Sequence, residues 1–184
     1  MKVHVVWALV VACIVAVAPV ARAGGPSGPQ LATYPSRLVT QYVQEGGEYY
    51  QRREYKKAIG PYSRALELEK KNPTLNKAQW RVLVDSLGLC YGLTGDLVRA
   101  KATFEYGLGQ DGTCPTFYYS LACVYGEMKD LENAIANLKL AFKYKDNMIL
   151  GLKLPDPSKD DSFRGFLTDD RFREVVRELG FGDK

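Results

Sequence analysis

Residues 87–108 have the sequence LGLCYGLTGDLVRAKATFEYGL, and the pattern in this stretch decides the fold. The pattern recurs as LACVYGEMKDLENAIANLKLAF at residues 121–142 and as EGGEYYQRREYKKAIGPYSRAL at residues 45–66. All three segments place a small residue, an aromatic residue, a tyrosine or leucine, an alanine and a large apolar residue at the same spacings. The repeated positions are Gly46, Tyr49, Tyr55, Ala58 and Tyr62, then Gly88, Tyr91, Leu97, Ala100 and Phe104, then Ala122, Tyr125, Leu131, Ala134 and Leu138.

The spacing predicts a pair of helices in each segment. The small residue and the first aromatic residue lie three positions apart, on one face of a first helix, and the later residues lie on one face of a second helix. Asp96 and Asp130 precede the second helices and suit their N-caps. Pro73 and Pro115 are expected at the first position of the following helices. The additional residues between the first two segments, within 71–80, are expected to form two added helical turns.

This pattern resembles the tetratricopeptide repeat (TPR) family over about residues 39–148. The middle segment matches the family consensus best, and the departures include Glu45 at a usual leucine and Leu138 at a usual aromatic residue. The resemblance implies an all-α fold, a right-handed α-solenoid of about three helical hairpins with a C-terminal helical cap. The predicted hairpins span residues 39–72, 81–114 and 115–148.

The two ends of the chain have different characters. Residues 1–23 combine a short positive start, an apolar run and Ala21-Arg22-Ala23, which predicts a secretory signal peptide and a periplasmic or secreted protein. An uncleaved membrane anchor and lipidation at Cys13 are the alternatives. Residues 24–34 are rich in glycine and proline and predict a flexible tether before the repeats at 35–148. Residues 149–184 resemble the segment that closes some bacterial TPR arrays, and predict the cap.

Charge and composition exclude several classes of function. The chain has a formal net charge of +4, and loss of Lys2 and Arg22 with the signal would reduce it to +2. So weak a charge gives no electrostatic basis for binding nucleic acid. The single histidine, His4, lies in the signal segment, so the remaining chain cannot form a Ser-His-Asp triad or a histidine-ligated metal site. We therefore expect a non-enzymatic protein with no cofactor and no metal.

Three further motifs have structural explanations. Residues 107–112 fit G-x-G-x-x-G, but a predicted helix precedes them where a dinucleotide site needs a strand, so they are interpreted as a helix C-terminus and turn. The acidic pairs Asp160-Asp161 and Asp169-Asp170 are expected at helix N-termini. The cysteines lack a C-x-x-C pair, and the sequence leaves open whether Cys90 and Cys123 form a disulfide.

In TPR proteins the first helices of successive hairpins line a concave groove that holds a partner segment. The resemblance therefore implies a groove for another protein, at Val43, Gly47, Tyr50, Gln51, Val82, Asp85, Leu89, Leu93, Thr116, Tyr119, Cys123 and Glu127. Tyr50 and Tyr119 are expected to be exposed there, whereas Tyr49, Tyr62, Tyr91 and Tyr125 are expected in the core. The sequence leaves two alternatives open: the tether or the cap covers the groove, or the protein is a structural subunit of an envelope or secretion assembly held through its solenoid ends.

Overall fold

The computed structural model describes residues 34–149 and 151–182, and these residues contain seven α-helices, three short 3₁₀ helices and no strand. The α-helices are α1 (Tyr34–Gln51), α2 (Tyr55–Lys71), α3 (Lys77–Leu93), α4 (Leu97–Gln110), α5 (Pro115–Glu127), α6 (Leu131–Lys143) and α7 (Asp170–Glu178). The 3₁₀ helices are Lys145–Asn147, Pro157–Lys159 and Asp161–Phe166. Helices α1 to α6 pack as three successive hairpins, and each hairpin also packs on the next, which confirms the predicted all-α solenoid.

The helix starts follow from local hydrogen bonds. The side chains of Asp96 and Asp130 accept hydrogen bonds from the backbone N–H groups of Arg99 and Asn133, at 3.0 and 3.1 Å. Both predicted N-caps are therefore confirmed, and Pro115 is the first residue of α5, as expected. These caps satisfy N–H groups that have no partner inside the helix.

Equivalent turns join the two helices of each hairpin. Arg53, Gly95 and Lys129 occupy the same position in the three turns, and all three have a left-handed backbone, with φ of 59°, 85° and 61°. Only glycine adopts this conformation without steric cost. The turn geometry is thus a property of the repeat, because two of the hairpins keep it with a less favourable residue.

The two helices of a hairpin approach each other most closely at the small residue of the first helix. A Cβ atom added to Gly46 would lie 2.6 Å from the Tyr62 ring, and one added to Gly88 would lie 2.5 Å from the Phe104 ring. The third hairpin has Ala122 and Leu138 at these positions, and both are fully buried in one cluster. A larger first residue is therefore matched by a smaller second one, which keeps the core close-packed.

The link between the first two hairpins differs from the prediction. Residues 72–76 form a loop rather than added helical turns, and Pro73 lies in this loop, whereas Asn76 caps α3. The buried carboxylate of Glu69 accepts hydrogen bonds from the backbone N–H groups of Thr74 and Leu75, at 3.0 and 3.1 Å. The prediction was wrong because Glu69 accepts the hydrogen bonds of these backbone N–H groups, so they do not need helical partners.

A buried ion pair spans the second hairpin, and its arginine also contacts the end of the third hairpin. Arg81 on α3 donates to the Asp111 carboxylate after α4, with N···O distances of 2.6 and 2.7 Å. Its other terminal nitrogen donates to the backbone oxygen of Asn147, at 2.7 Å. Lys77 lies 3.3 Å from the same carboxylate but is exposed. Arg81 therefore connects three points of the chain that are far apart in sequence.

Residues 151–182, called the cap below, close the solenoid. Phe163 and Phe172 are fully buried in the cluster that contains Leu138 of the last hairpin. Asp160 and Asp169 accept backbone hydrogen bonds from Ser162 and Arg171, which confirms that the two acidic pairs begin helical segments.

The predicted signal peptide and the tether up to residue 33 lie outside the described residues. Among the helices that the structure describes, none is both long and apolar enough to cross a membrane.

Candidate functional site

A cleft of about 340 Å³ opens where the first helices of the three hairpins meet the cap. Each hairpin contributes to its walls, and the cap closes one side through an irregular stretch with short 3₁₀ helices. The lining residues are Tyr50, Gly88, Leu89, Gly92, Leu93, Gly95, Leu97, Phe104, Ser120, Cys123, Val124, Glu127, Pro155, Asp156, Lys159, Asp160, Asp161 and Ser162.

The part of the cleft formed by α1, α3 and α4 is apolar. Leu89 and Leu93 lie one helical turn apart on α3 and are half-buried. Tyr50 is only 7% exposed, and its ring packs edge-to-face on Tyr55 with 5.3 Å between centroids. Burial raises the pKa of the Tyr50 hydroxyl well above its usual value, so this side chain stays neutral. This surface can therefore contact apolar groups without placing a charge against them.

The opposite wall is polar and acidic, and Asp160 holds it against α5. One carboxylate oxygen of Asp160 accepts a hydrogen bond from the Ser162 backbone at 3.0 Å. The other oxygen accepts from the Tyr119 hydroxyl at 3.2 Å and from the Cys123 thiol at 3.7 Å. Partial burial, followed by the nearby carboxylates Asp160 and Asp161, raises the pKa of Glu127 on the same wall. The wall thus concentrates negative charge beside an apolar surface.

The structure brings five of the predicted groove residues into this cleft: Tyr50, Leu89, Leu93, Cys123 and Glu127. The others do not line it: Val43, Gly47, Gln51, Val82, Asp85, Thr116 and Tyr119.

The largest departure from the predicted groove concerns Tyr119, which is fully buried rather than exposed. The cap covers it: its hydroxyl donates to Asp160, and its ring packs edge-to-face on Phe163 with 6.1 Å between centroids. Tyr50 is also buried, although it reaches the cleft, whereas Tyr49 is only half-buried. The expectation that Tyr50 and Tyr119 are surface residues is therefore wrong. For Tyr119, the alternative that the cap covers the groove is the correct one.

The remaining groove residues outside the cleft lie in the core, at its edge or on other surfaces. Asp85 is buried and accepts a hydrogen bond from the Ser120 hydroxyl at 3.0 Å, so the predicted exposure of this carboxylate is wrong. Gly47 is buried, and a Cβ atom added to it would lie 3.8 Å from the Tyr62 hydroxyl. Thr116 is buried beside Cys114. Gln51 is exposed, whereas Val43 and Val82 are half-buried.

Three of the four predicted core tyrosines prove to be half-buried. Tyr62 is buried, but Tyr49, Tyr91 and Tyr125 lie at the edge of the core, each with a cation over its ring. The cations are Lys57, Arg99 and Lys101, at 5.9, 4.7 and 5.7 Å from the ring centroids. A cation over an aromatic face is electrostatically favourable, and its stem shields the ring from water.

Residues 155–162 contribute to the cleft although no sequence pattern predicts it. These residues form a whole wall of the cleft, yet they lie outside the repeat pattern. The only local signal is the Asp160-Asp161 pair, which predicts a helix start. Asp160 does cap that 3₁₀ helix, and its second oxygen also makes the contacts to α5.

The three cysteines that the structure describes are held in their thiol form. Cys90, Cys114 and Cys123 are free thiols, and burial raises the pKa of each, to about 12 for Cys90, so the nucleophilic thiolate is disfavoured. Burial also raises the pKa of Asp85 to about 7, an effect that the Ser120 hydrogen bond partly opposes. Within residues 34–149 and 151–182, no three His, Cys, Asp or Glu side chains are grouped as metal ligands would be.

No protein-family model matches the chain, and no curated protein sequence matches it significantly. Among solved structures, the chain is similar to PcrH from Pseudomonas aeruginosa, with a TM-score of 0.50 and 17% sequence identity. The match covers 83% of this chain and 95% of PcrH. At this identity the similarity establishes the fold alone, a helical-repeat fold of the TPR type.

Proposed function

We propose that this protein is an exported, non-enzymatic module that binds a segment of a partner protein in the cleft. The observation that carries the proposal is the cleft itself, which all three hairpins and the cap build together. Its volume of about 340 Å³ lies within the range of about 300–1,000 Å³ that is typical of ligand sites.

The lining favours a peptide segment with an apolar anchor. Leu89 and Leu93 provide apolar contact area on one helix, and Tyr50 adds a rigid aromatic ring at low cost in conformational entropy. Buried apolar anchors carry most of the binding energy in protein interfaces, whereas polar groups at the rim exclude water and set orientation. The cleft has both kinds of surface, which supports recognition of a segment rather than of a flat protein face.

Peptide selection tests the proposal directly. A library of random 12-residue peptides displayed on phage is selected against the purified protein, and the selected peptides are titrated against variants. Leu93→Asp places a charge in the apolar part of the cleft and should weaken binding by about 30-fold, the loss expected at an interface hot spot of 2 kcal/mol. Val98→Asp is the matched control, because Val98 is an apolar residue that is 75% exposed and does not line the cleft.

Thermal melting of both variants separates lost binding from lost folding. Peptides that bind wild type and Leu93→Asp equally would contradict recognition in the cleft, and would favour a subunit that is held through its solenoid ends.

Export rests on the pattern of residues 1–23 and has its own test. Expression in a bacterium with a Sec pathway should yield a periplasmic protein whose first residue is Gly24, as measured by intact mass. A cytoplasmic protein that retains Met1 would contradict this part of the proposal.

A further inference from the structure

The charges that line the cleft all lie on one wall. Residues 155–162 and the end of α5 contribute Glu127, Asp156, Asp160 and Asp161, and the single cation among the lining residues is Lys159. The lining residues from α1, α3, α4 and the α3–α4 turn carry no charge. An apolar surface and an acidic surface therefore border the same cleft.

Part of this negative charge has no compensation in the described chain. Lys159 lies 3.5 Å from Asp156, and Arg164 lies 2.5 Å from Asp161, so these two carboxylates are paired. Glu127 and Asp160 form no ion pair within residues 34–149 and 151–182. A cation from outside would be attracted to these two carboxylates.

The two unpaired carboxylates differ in what they can still accept. Asp160 already accepts hydrogen bonds from Ser162, Tyr119 and Cys123, which occupy most of its acceptor capacity. Glu127 is only partly buried and accepts no hydrogen bond from another described residue, so its carboxylate is free to turn towards a ligand. Glu127 is therefore the primary partner for a cation in the cleft, and Asp160 adds to the field.

We propose that the segment held in the cleft carries a lysine or arginine next to its apolar anchor, with the cationic group at Glu127. This inference rests on the proposed function and specifies the chemistry of the partner. A side chain suits the site better than a free ion, because the space between the walls is apolar. The aliphatic stem of lysine or arginine can lie along Leu93 and Val124 while its charge reaches the acidic wall.

The same phage selection tests the inference through sequence preference. Peptides selected by the wild-type protein should carry lysine or arginine within two positions of a large apolar residue. Replacing that basic residue with norleucine should weaken binding about two- to fivefold, as expected for a partly exposed ion pair. In 1 M NaCl the difference should vanish, because the Debye length falls to about 3 Å.

A matched pair of variants locates the effect. With Glu127→Gln, the lysine and norleucine peptides should bind equally well. Glu67→Gln removes the same charge from an exposed residue of α2 that pairs with no cation in the described part of the chain and does not line the cleft. It should therefore leave the preference intact.

The outcomes distinguish this inference from the proposed function. Peptides with apolar anchors but no basic preference would overturn the inference and leave the proposed function standing. A failure to select any peptide that Leu93→Asp weakens would overturn both. A dimer that Leu93→Asp dissociates, or tighter peptide binding after deletion of residues 24–33, would show that a second copy or this chain's own N-terminal residues fill the cleft, and would also overturn the inference.

Discussion

Substitution of Gly88 by alanine tests the closest helix contact beside the cleft. A Cβ atom at this position would lie 2.5 Å from two ring carbons of Phe104, well inside the 3.4–4 Å of an ordinary contact. Phe104 is only 1% exposed, so its ring cannot move into solvent. Either the ring must leave its preferred rotamer or α3 and α4 must separate.

The magnitude follows from two opposing terms. Overpacking of a dense core costs about 1–3 kcal/mol, and an overlap of nearly 1 Å with a buried ring belongs at the upper end of that range. Alanine in place of glycine inside a helix stabilises the folded state by about 1 kcal/mol. The free energy of unfolding should therefore fall by about 1–2 kcal/mol, and the melting temperature by about 2–8 °C.

Urea denaturation followed by circular dichroism measures this change. Gly109→Ala is the matched control, because nothing lies within 4 Å of an added Cβ in α4, and it should stabilise by about 0.5–1 kcal/mol. The double variant Gly88→Ala/Phe104→Leu copies the Ala122 and Leu138 pair of the third hairpin. It should be more stable than the two single changes predict, by at least about 0.5 kcal/mol. A Gly88→Ala variant as stable as wild type, or single changes that simply add, would refute the packing argument.

Three more predictions concern buried polar groups. Burial raises the pKa of Asp85 from 3.8 to about 7. Between pH 4 and pH 7 the folded state therefore keeps a proton on Asp85 that the unfolded chain has released. The free energy of unfolding should therefore fall by at most about 4 kcal/mol from pH 4 to pH 7. Urea titrations of Asp85→Asn should show a weaker pH dependence of this free energy. An unchanged pH dependence would contradict the raised pKa of Asp85. Tyr119→Phe should cost about 1 kcal/mol and accelerate hydrogen exchange in the cap but not in α1 and α2, whereas uniform acceleration would argue against local docking. Arg81→Met should destabilise by about 3–5 kcal/mol because it leaves the buried Asp111 carboxylate with only the exposed Lys77 as an ionic partner. Lys77→Met should cost less than about 1 kcal/mol, because Lys77 is exposed. Equal losses of unfolding free energy in the two variants, measured by chemical denaturation, would contradict the conclusion that Arg81 is the main partner of Asp111.

The repeat architecture could be predicted from the sequence because each hairpin contacts mainly its neighbours in the chain. The small residues Ala58, Ala100 and Ala134 are fully buried, as the common spacing of the three segments requires. The helix N-caps Asp96 and Asp130 were also predictable, since a cap acts on backbone groups only two or three residues away.

The faces of the first helices were harder to assign from the sequence. Tyr49 and Tyr50 are adjacent and chemically identical, yet Tyr50 is buried and Tyr49 lies half-exposed beside Lys57. Successive helical residues point about 100° apart, so both tyrosines border the apolar stripe, and the packing of neighbouring elements decides which one is covered.

What the sequence alone determined is therefore the local part of this protein: the hairpins, their turns, their caps and the small residues between helices. Only the tertiary structure decided where the cleft lies, because its acidic wall comes from a segment without a repeat pattern that folds back onto α5. Asp160 meets Tyr119 across 41 residues of chain. Periodicity encodes which face of a helix is apolar, but it contains no information about which distant segment will cover that face.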